Sequence, residues 1–233
     1  IDGYVSTVNA IPVLSAENEQ ALAHRFRDEE DLDAARQLVM AHLRFVVHIA
    51  RSYSGYGLPQ GQGLVPKLQA WLDEQGVDAK VVNAGVSGDT TRGGLSRVEW
   101  SLSDQSDAMI VALGGNDLLR GIDPTSSREN LAAILDIAAE RELPVLLVGL
   151  EAPSNYGAGF KEAFDSMYAE LSHEYDTLFL PDFFEGLRVN GGTNLQDVRE
   201  FMQADGIHPN AEGVERIVSV LGPRVEELVE RTQ

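Results

Sequence analysis

From Gly61 onward the chain alternates helical stretches with short runs that are apolar at every position, and this alternation constrains its fold more than any other feature. Residues 109–113 (MIVAL) and 145–150 (VLLVGL) offer no polar face to water. Strands of that kind belong to parallel sheets covered by helices on both sides. The spacing of apolar positions predicts helices at 65–75, 92–102, 128–141, 159–175 and 211–231, and strands at 80–83, 108–113, 145–150 and 178–180. This order is that of an α/β protein with a doubly wound, mostly parallel sheet. Pro223 lacks a backbone donor and is expected to kink or split the last helix.

The first 54 residues have a different accent. They contain no lysine and, past Pro12, read as helix only. Ser15, followed by Glu17 and Asn18, is a helix start, with the serine hydroxyl accepting from a free backbone N–H. A second helix begins near Asp31. Leu32, Ala35, Leu38, Val39, Leu43, Val46, Val47 and Ala50 recur at three-and-four spacing, and Asp31 and Asp33 suit the positive end of the helix dipole. The run 45–49 (FVVHI) fits this helix but is also a short β-rich segment. The expected organisation is a helical segment at 1–54 and an α/β domain at 55–233.

Composition removes several function classes. The 233 residues carry 37 acidic against 18 basic side chains, a formal charge of -19, so unaided nucleic-acid binding is repulsive. No run approaches the ~18 apolar residues of a membrane span. The absence of cysteine excludes disulfides, thiolate metal sites and a cysteine nucleophile. The chain starts at Ile1 rather than Met, which suggests a fragment or a processed chain. As it stands it is expected in the cytoplasm, and in the periplasm if an export signal has been removed.

Three loops carry candidate chemistry. In Asp205-Gly206-Ile207-His208-Pro209-Asn210, a carboxylate three residues before a histidine can orient one imidazole nitrogen while the other faces a nucleophile. The plainer alternative is a helix-capping loop. Gly114-Gly115-Asn116-Asp117 follows the most apolar strand, where α/β sheets bind ligands, and Asn116 can donate its amide to a developing oxyanion. Its alternative is a tight turn with a cap. Ser87-Gly88-Asp89-Thr90-Thr91 follows the preceding strand, and the Gly88 N–H is a second oxyanion donor, or part of an ordinary strand-to-helix turn.

Taken together, VNAGVSGDTT, VALGGNDLLRG, EAPSNYG at 151–157 and DGIHPN resemble the SGNH (GDSL) hydrolase family, in its arylesterase and thioesterase/lysophospholipase branch. The resemblance covers residues 55–231. It implies a flavodoxin-like sheet, Gly88 and Asn116 as oxyanion donors, Asp205 and His208 as two triad members, no cofactor and no metal. The implied substrates are small acyl esters and thioesters, with residues 118–124 bordering the acyl groove. One departure is serious. The family's Gly-Asp-Ser-Leu block, which carries the nucleophile, falls here on Ile49, Ala50, Arg51 and Ser52, so that Arg51 stands at the nucleophile position. Ser52 is one residue late, and on a strand such a shift turns the side chain to the other face unless a bulge intervenes.

Residues 2–60, above all DLDAARQLVMAHLRFVVHIARSYSGYGLPQ, resemble the bacterial heat-shock sigma factor. That resemblance implies a helical segment, with core RNA polymerase and chaperones as partners of residues 31–60. The promoter-reading domains are absent. Both families carry GYGLPQ, so the chain reads as a join of two genes at a shared sequence. In the hydrolase family the strand before the nucleophile block lies between the strands expected here at 80–83 and 108–113. Without it, interior backbone groups would lack partners at ~1–3 kcal/mol each. Residues 45–49 are therefore expected to fill that place, with the preceding helix ending near 42–44. The alternative is one helix through 31–52.

Overall fold

The computed structural model describes residues 25, 45–49, 57–103, 106–188 and 198–232. The chain divides into two compact units, 1–44 and 45–233, and the second is an α/β fold. Its strands are β1 (Phe45–Ile49), β2 (Val81–Asn83), β3 (Ala108–Ala112), β4 (Val145–Val148) and β5 (Leu178–Leu180). Its helices are α1 (Leu64–Gln75), α2 (Thr91–Ser101), α3 (Gly115–Leu119), α4 (Pro124–Glu140), α5 (Ala158–Glu174) and α6 (Ala211–Glu230). The strands form one parallel sheet in the order β2-β1-β3-β4-β5. This is the doubly wound order expected from the sequence, with the direction of winding reversing between β1 and β3.

Residues 45–49 do fill the inner strand position. Phe45 lies in register with Val81 on one side and Ala108 on the other, and Ile49 ends the strand beside Ala112. Backbone pairing on both edges outweighs the helical stripe that continues into these residues. The strand falls on the N-terminal side of the expected 54/55 boundary, so the α/β unit begins earlier than motif composition suggests. Before it Arg25 is helical and exposed; the rest of the expected helices, and their end near 42–44, lie outside the described residues.

On one face α1 packs on α6; on the other α2, α4 and α5 form a row. Every residue of β3 and β4 is buried, as their two-sided apolar character requires. Leu64, Leu68 and Leu72 of α1 join Leu221, Val225 and Leu228 of α6 in the core. Gly222 lets the Trp71 ring rest on α6, since a Cβ there would lie 2.6 Å from the ring.

Of the kink or split expected at Pro223 there is no split: α6 runs unbroken from Ala211 to Glu230. Elsewhere the helices differ from expectation. α4 begins at Pro124 rather than 128, because Asp123 caps it by accepting from the Thr125 N–H at 2.8 Å and proline suits the first turn. α3 was not anticipated at all; five residues give periodicity too little length to register.

Candidate active site

The loop between β2 and α2 turns at Gly88, whose φ of 79° lies in the left-handed region. The Asp89 N–H closes the turn onto the Val86 carbonyl at 3.3 Å. Arg120 Nη2 donates to the Gly88 carbonyl at 2.9 Å, fixing the peptide from outside. Capping of α2 falls to Thr90, which accepts from the Gly93 N–H at 3.2 Å. The loop is thus a strand-to-helix turn with its own capping residue.

β3 leads into Gly114 at φ 118°, and a Cβ there would stand 2.1 Å from Tyr168 Oη. That hydroxyl is buried and donates to the Leu113 carbonyl at 2.9 Å. The turn delivers Asn116 into the first turn of α3, where its Nδ2 donates to the Asp89 carbonyl at 2.9 Å. An asparagine cap would accept from helix N–H groups; this one donates, and a primary amide has a second N–H to offer a ligand. The next residue, Asp117, is fully buried and accepts from the Thr91 N–H at 2.8 Å, Thr91 Oγ1 at 2.6 Å and Ser127 Oγ at 2.9 Å. It ties the Asn116 turn to the starts of α2 and α4.

The third loop is a clasp of its own. Met202 and Pro209 form an antiparallel bridge, Gln203 N–H donates to the His208 carbonyl at 2.7 Å, and Asn210 N–H donates to the Phe201 carbonyl at 2.8 Å. Asn210 caps α6 by accepting from the Gly213 N–H at 2.9 Å. The cap comes from Asn210, and beside it His208 Nδ1 lies 2.7 Å from Asp205 Oδ2. Oδ1 of Asp205 accepts from the Ile207 and His208 N–H groups at 2.9 and 3.0 Å, a turn made by Gly206 at φ 67°. The His208 side chain bonded to it, then these two amides, hold the Asp205 carboxyl at a pKa of about 2. A carboxylate on Nδ1 favours the neutral tautomer protonated there, in which Nε2 carries the lone pair of a base.

Of the residues expected from the sequence, the structure joins Gly88 to Asn116 through Asp89 and Arg120, and Asp205 to His208 directly. Arg51 and Ser52 lie outside the described residues. The chain re-enters description at Gly57, where a Cβ would meet Gln203 Oε1 at 2.4 Å, so the segment after β1 abuts the His208 loop. Sequence reasoning missed Arg120, Arg97 and the buried role of Asp117. Val86 and Ile207, exposed at 41% and 38%, lie on the first and third loops, and Leu119, exposed at 55%, ends α3. A cavity of about 440 Å³ beside the Asn116 turn, walled by Arg92, Arg120, Glu129 and Asn130, contains no residue of the His208 loop. Among the described residues no helix is long and apolar enough to cross a membrane.

Comparison with known proteins shows the family and the fold. A profile of the GDSL-like lipase/acylhydrolase family matches residues 52–216. Esterase TesA of Pseudomonas aeruginosa is 40% identical over 174 residues, which is 74% of this chain and 83% of that protein. The thioesterase 1/protease 1/lysophospholipase L1 of Escherichia coli is 38% identical over 151 residues, 64% of this chain and 68% of that one. Among solved structures, the crystal structure of TesA superposes with a TM-score of 0.70 at 36% identity, covering 79% of this chain and 99% of that chain. AlinE4, an SGNH-hydrolase family esterase, gives a TM-score of 0.63 at 38% identity, covering 79% and 95%.

Proposed function

Because the chain belongs to the GDSL-like lipase/acylhydrolase family, we propose that it is an SGNH-type hydrolase of acyl esters and thioesters whose nucleophile block has been replaced. His208 Nε2 is the general base. Asp205 holds the ring and balances the imidazolium that forms when Nε2 takes a proton. The Gly88 N–H and the second Nδ2–H of Asn116 receive the negative charge of the tetrahedral intermediate. His208 then returns its proton to the departing alcohol or thiol. In an intact site a serine supplies the attacking oxygen; here Arg51 stands at that position in the sequence, Ser52 follows it, and water is the remaining nucleophile.

The observation that carries this reading is the 2.7 Å contact between Asp205 and His208, with the carboxylate further held by two backbone amides. Support for an acyl substrate comes from the family, whose matched relatives include an esterase and a thioesterase. Support for a single cleft comes from the register, which ends β1 beside β3, and from Gly57 against Gln203.

Hydrolysis of a short p-nitrophenyl ester tests the proposal. The expected turnover is weak, with an enhancement of the order of 10³ to 10⁴ over the uncatalysed reaction. It should fall in Asn116→Ala and be unchanged in Ser52→Ala. Fast turnover abolished by Ser52→Ala would overturn the reading and establish Ser52 as a displaced nucleophile.

The sigma-factor-like segment at 2–60 is part of the same proposal, as one gene's fragment joined to another near GYGLPQ. The start of the family match at residue 52 and the division of the chain after Arg44 support a join in this stretch. The competing function, an RNA polymerase interaction fragment carrying an inert α/β unit, predicts that core polymerase retains the full chain in a pull-down. The hydrolase reading predicts no retention.

A further inference from the structure

In the loop from β2 to α2, residues 84–90, Ala84 packs against the core while Val86 is exposed. One side chain bonds to both ends of this loop. Arg97 lies two turns into α2 and is 7% exposed. Its Nε donates to Asp89 Oδ2 at 2.5 Å, at the far end of the loop, and its Nη1 donates to the Ala84 carbonyl, at the near end. Nη1 also reaches Ser101 Oγ at 3.3 Å, which steadies the guanidinium against its own helix.

The Gly88 turn is strung between these two anchor points. Asp89 also has a second role, since its main-chain carbonyl accepts from Asn116 Nδ2 at 2.9 Å. The same residue therefore receives Arg97 through its side chain and orients Asn116 through its backbone. A planar fork with several fixed donors can hold a carboxylate and a carbonyl in one geometry, which an ammonium cannot.

We propose that Arg97 is the positioning residue of the oxyanion site, setting Gly88 and Asn116 together through Asp89. It touches no substrate. It fixes the Asp89 peptide, and that peptide fixes the Asn116 amide. The inference rests on Gly88 and Asn116 being the oxyanion donors, but the geometry it asserts can be measured without any turnover.

The test is hydrogen exchange and chemical shift at the Asn116 side-chain amide and the Gly88 N–H, followed by NMR in the full chain. In Arg97→Met, exchange of the Asn116 Nδ2 protons should rise at least about tenfold and both signals should move. The Ile110 amide, inside β3, should keep its protection. Arg97→Lys should restore the shifts only in part, because one ammonium cannot span Ala84 and Asp89. Asp89→Asn, which keeps the side chain's shape, should give a smaller change of the same kind and serves if Arg97→Met does not fold. Any measurable ester hydrolysis should fall in kcat with KM within about threefold. Unchanged Asn116 and Gly88 signals in both Arg97→Met and Asp89→Asn would overturn the proposal. So would an equal loss of protection at Ile110, which would make Arg97 a general stabiliser. Absence of hydrolysis with the expected NMR changes would count against the proposed activity and not against the positioning role.

Discussion

Gly114→Ala isolates the packing that aims Asn116. The added methyl would stand 2.1 Å from Tyr168 Oη and 3.3 Å from Tyr168 Cζ, on a backbone held at φ 118°. A non-glycine residue in such a conformation costs ~1–3 kcal/mol, and overpacking a buried site costs ~1–3 kcal/mol more. Tyr168 is 1% exposed and has nowhere to retreat, and moving it would also break its 2.9 Å bond to the Leu113 carbonyl. The expected loss is therefore about 3–5 kcal/mol by urea denaturation. A double-mutant cycle separates the causes. Tyr168→Phe alone should cost ~1–3 kcal/mol, from the Leu113 carbonyl left without its donor. Removing the hydroxyl also removes the closest clash, so the double variant should be less destabilised than the sum of the two by at least about 1 kcal/mol. Strict additivity, or a loss below about 1 kcal/mol for Gly114→Ala, would refute the steric argument.

Asp117→Ala leaves the Thr91 N–H and the Thr91 and Ser127 hydroxyls without their buried acceptor, and should cost about 3–5 kcal/mol by chemical denaturation while disordering the Asn116 turn. The Asp205 carboxyl should titrate at about 2 by carbon-detected NMR, and in His208→Ala its midpoint should rise toward the ordinary 3.8 without reaching it, because two backbone amides still donate. Since this pKa is depressed on folding, its contribution to stability is complete above the ordinary carboxylate range and is lost as pH falls from about 4 through about 2. Gly222→Ala should lower stability by ~1–3 kcal/mol and shift the Trp71 fluorescence, because its Cβ would meet the indole at 2.6 Å.

The sheet was legible because β3 and β4 are apolar at every position, a pattern that surface strands and amphipathic helices do not show. β1 is the instructive case. Its local pattern continues the helical stripe, and the argument for a strand is topological: without it the facing edges of β2 and β3 would be left with unpaired backbone. Local signals were overlooked at α4, where Asp123 and Pro124 form a helix start. In the site, the pairing of Asp205 with His208 follows from three-residue spacing across a glycine and could be read directly. Arg97 could not be read so easily. It lies eight residues from Asp89 along the chain, and its second contact is to a backbone carbonyl, which no side-chain pattern records. Asp117 stood in the motif, but burial among three donors is a property of the assembled helices α2 and α4.

The central claim is that a histidine base and an oxyanion site stand ready around a position that lacks its nucleophile. Arg51→Ser tests this most directly, since residue 51 comes two residues past the end of β1, at the place that the family's first block assigns to the serine. Hydrolysis of a short p-nitrophenyl ester should rise at least about 10²-fold over the unmodified chain, and His208→Ala added to Arg51→Ser should remove that gain. A chain that folds with Arg51→Ser and hydrolyses no faster than before would contradict the account.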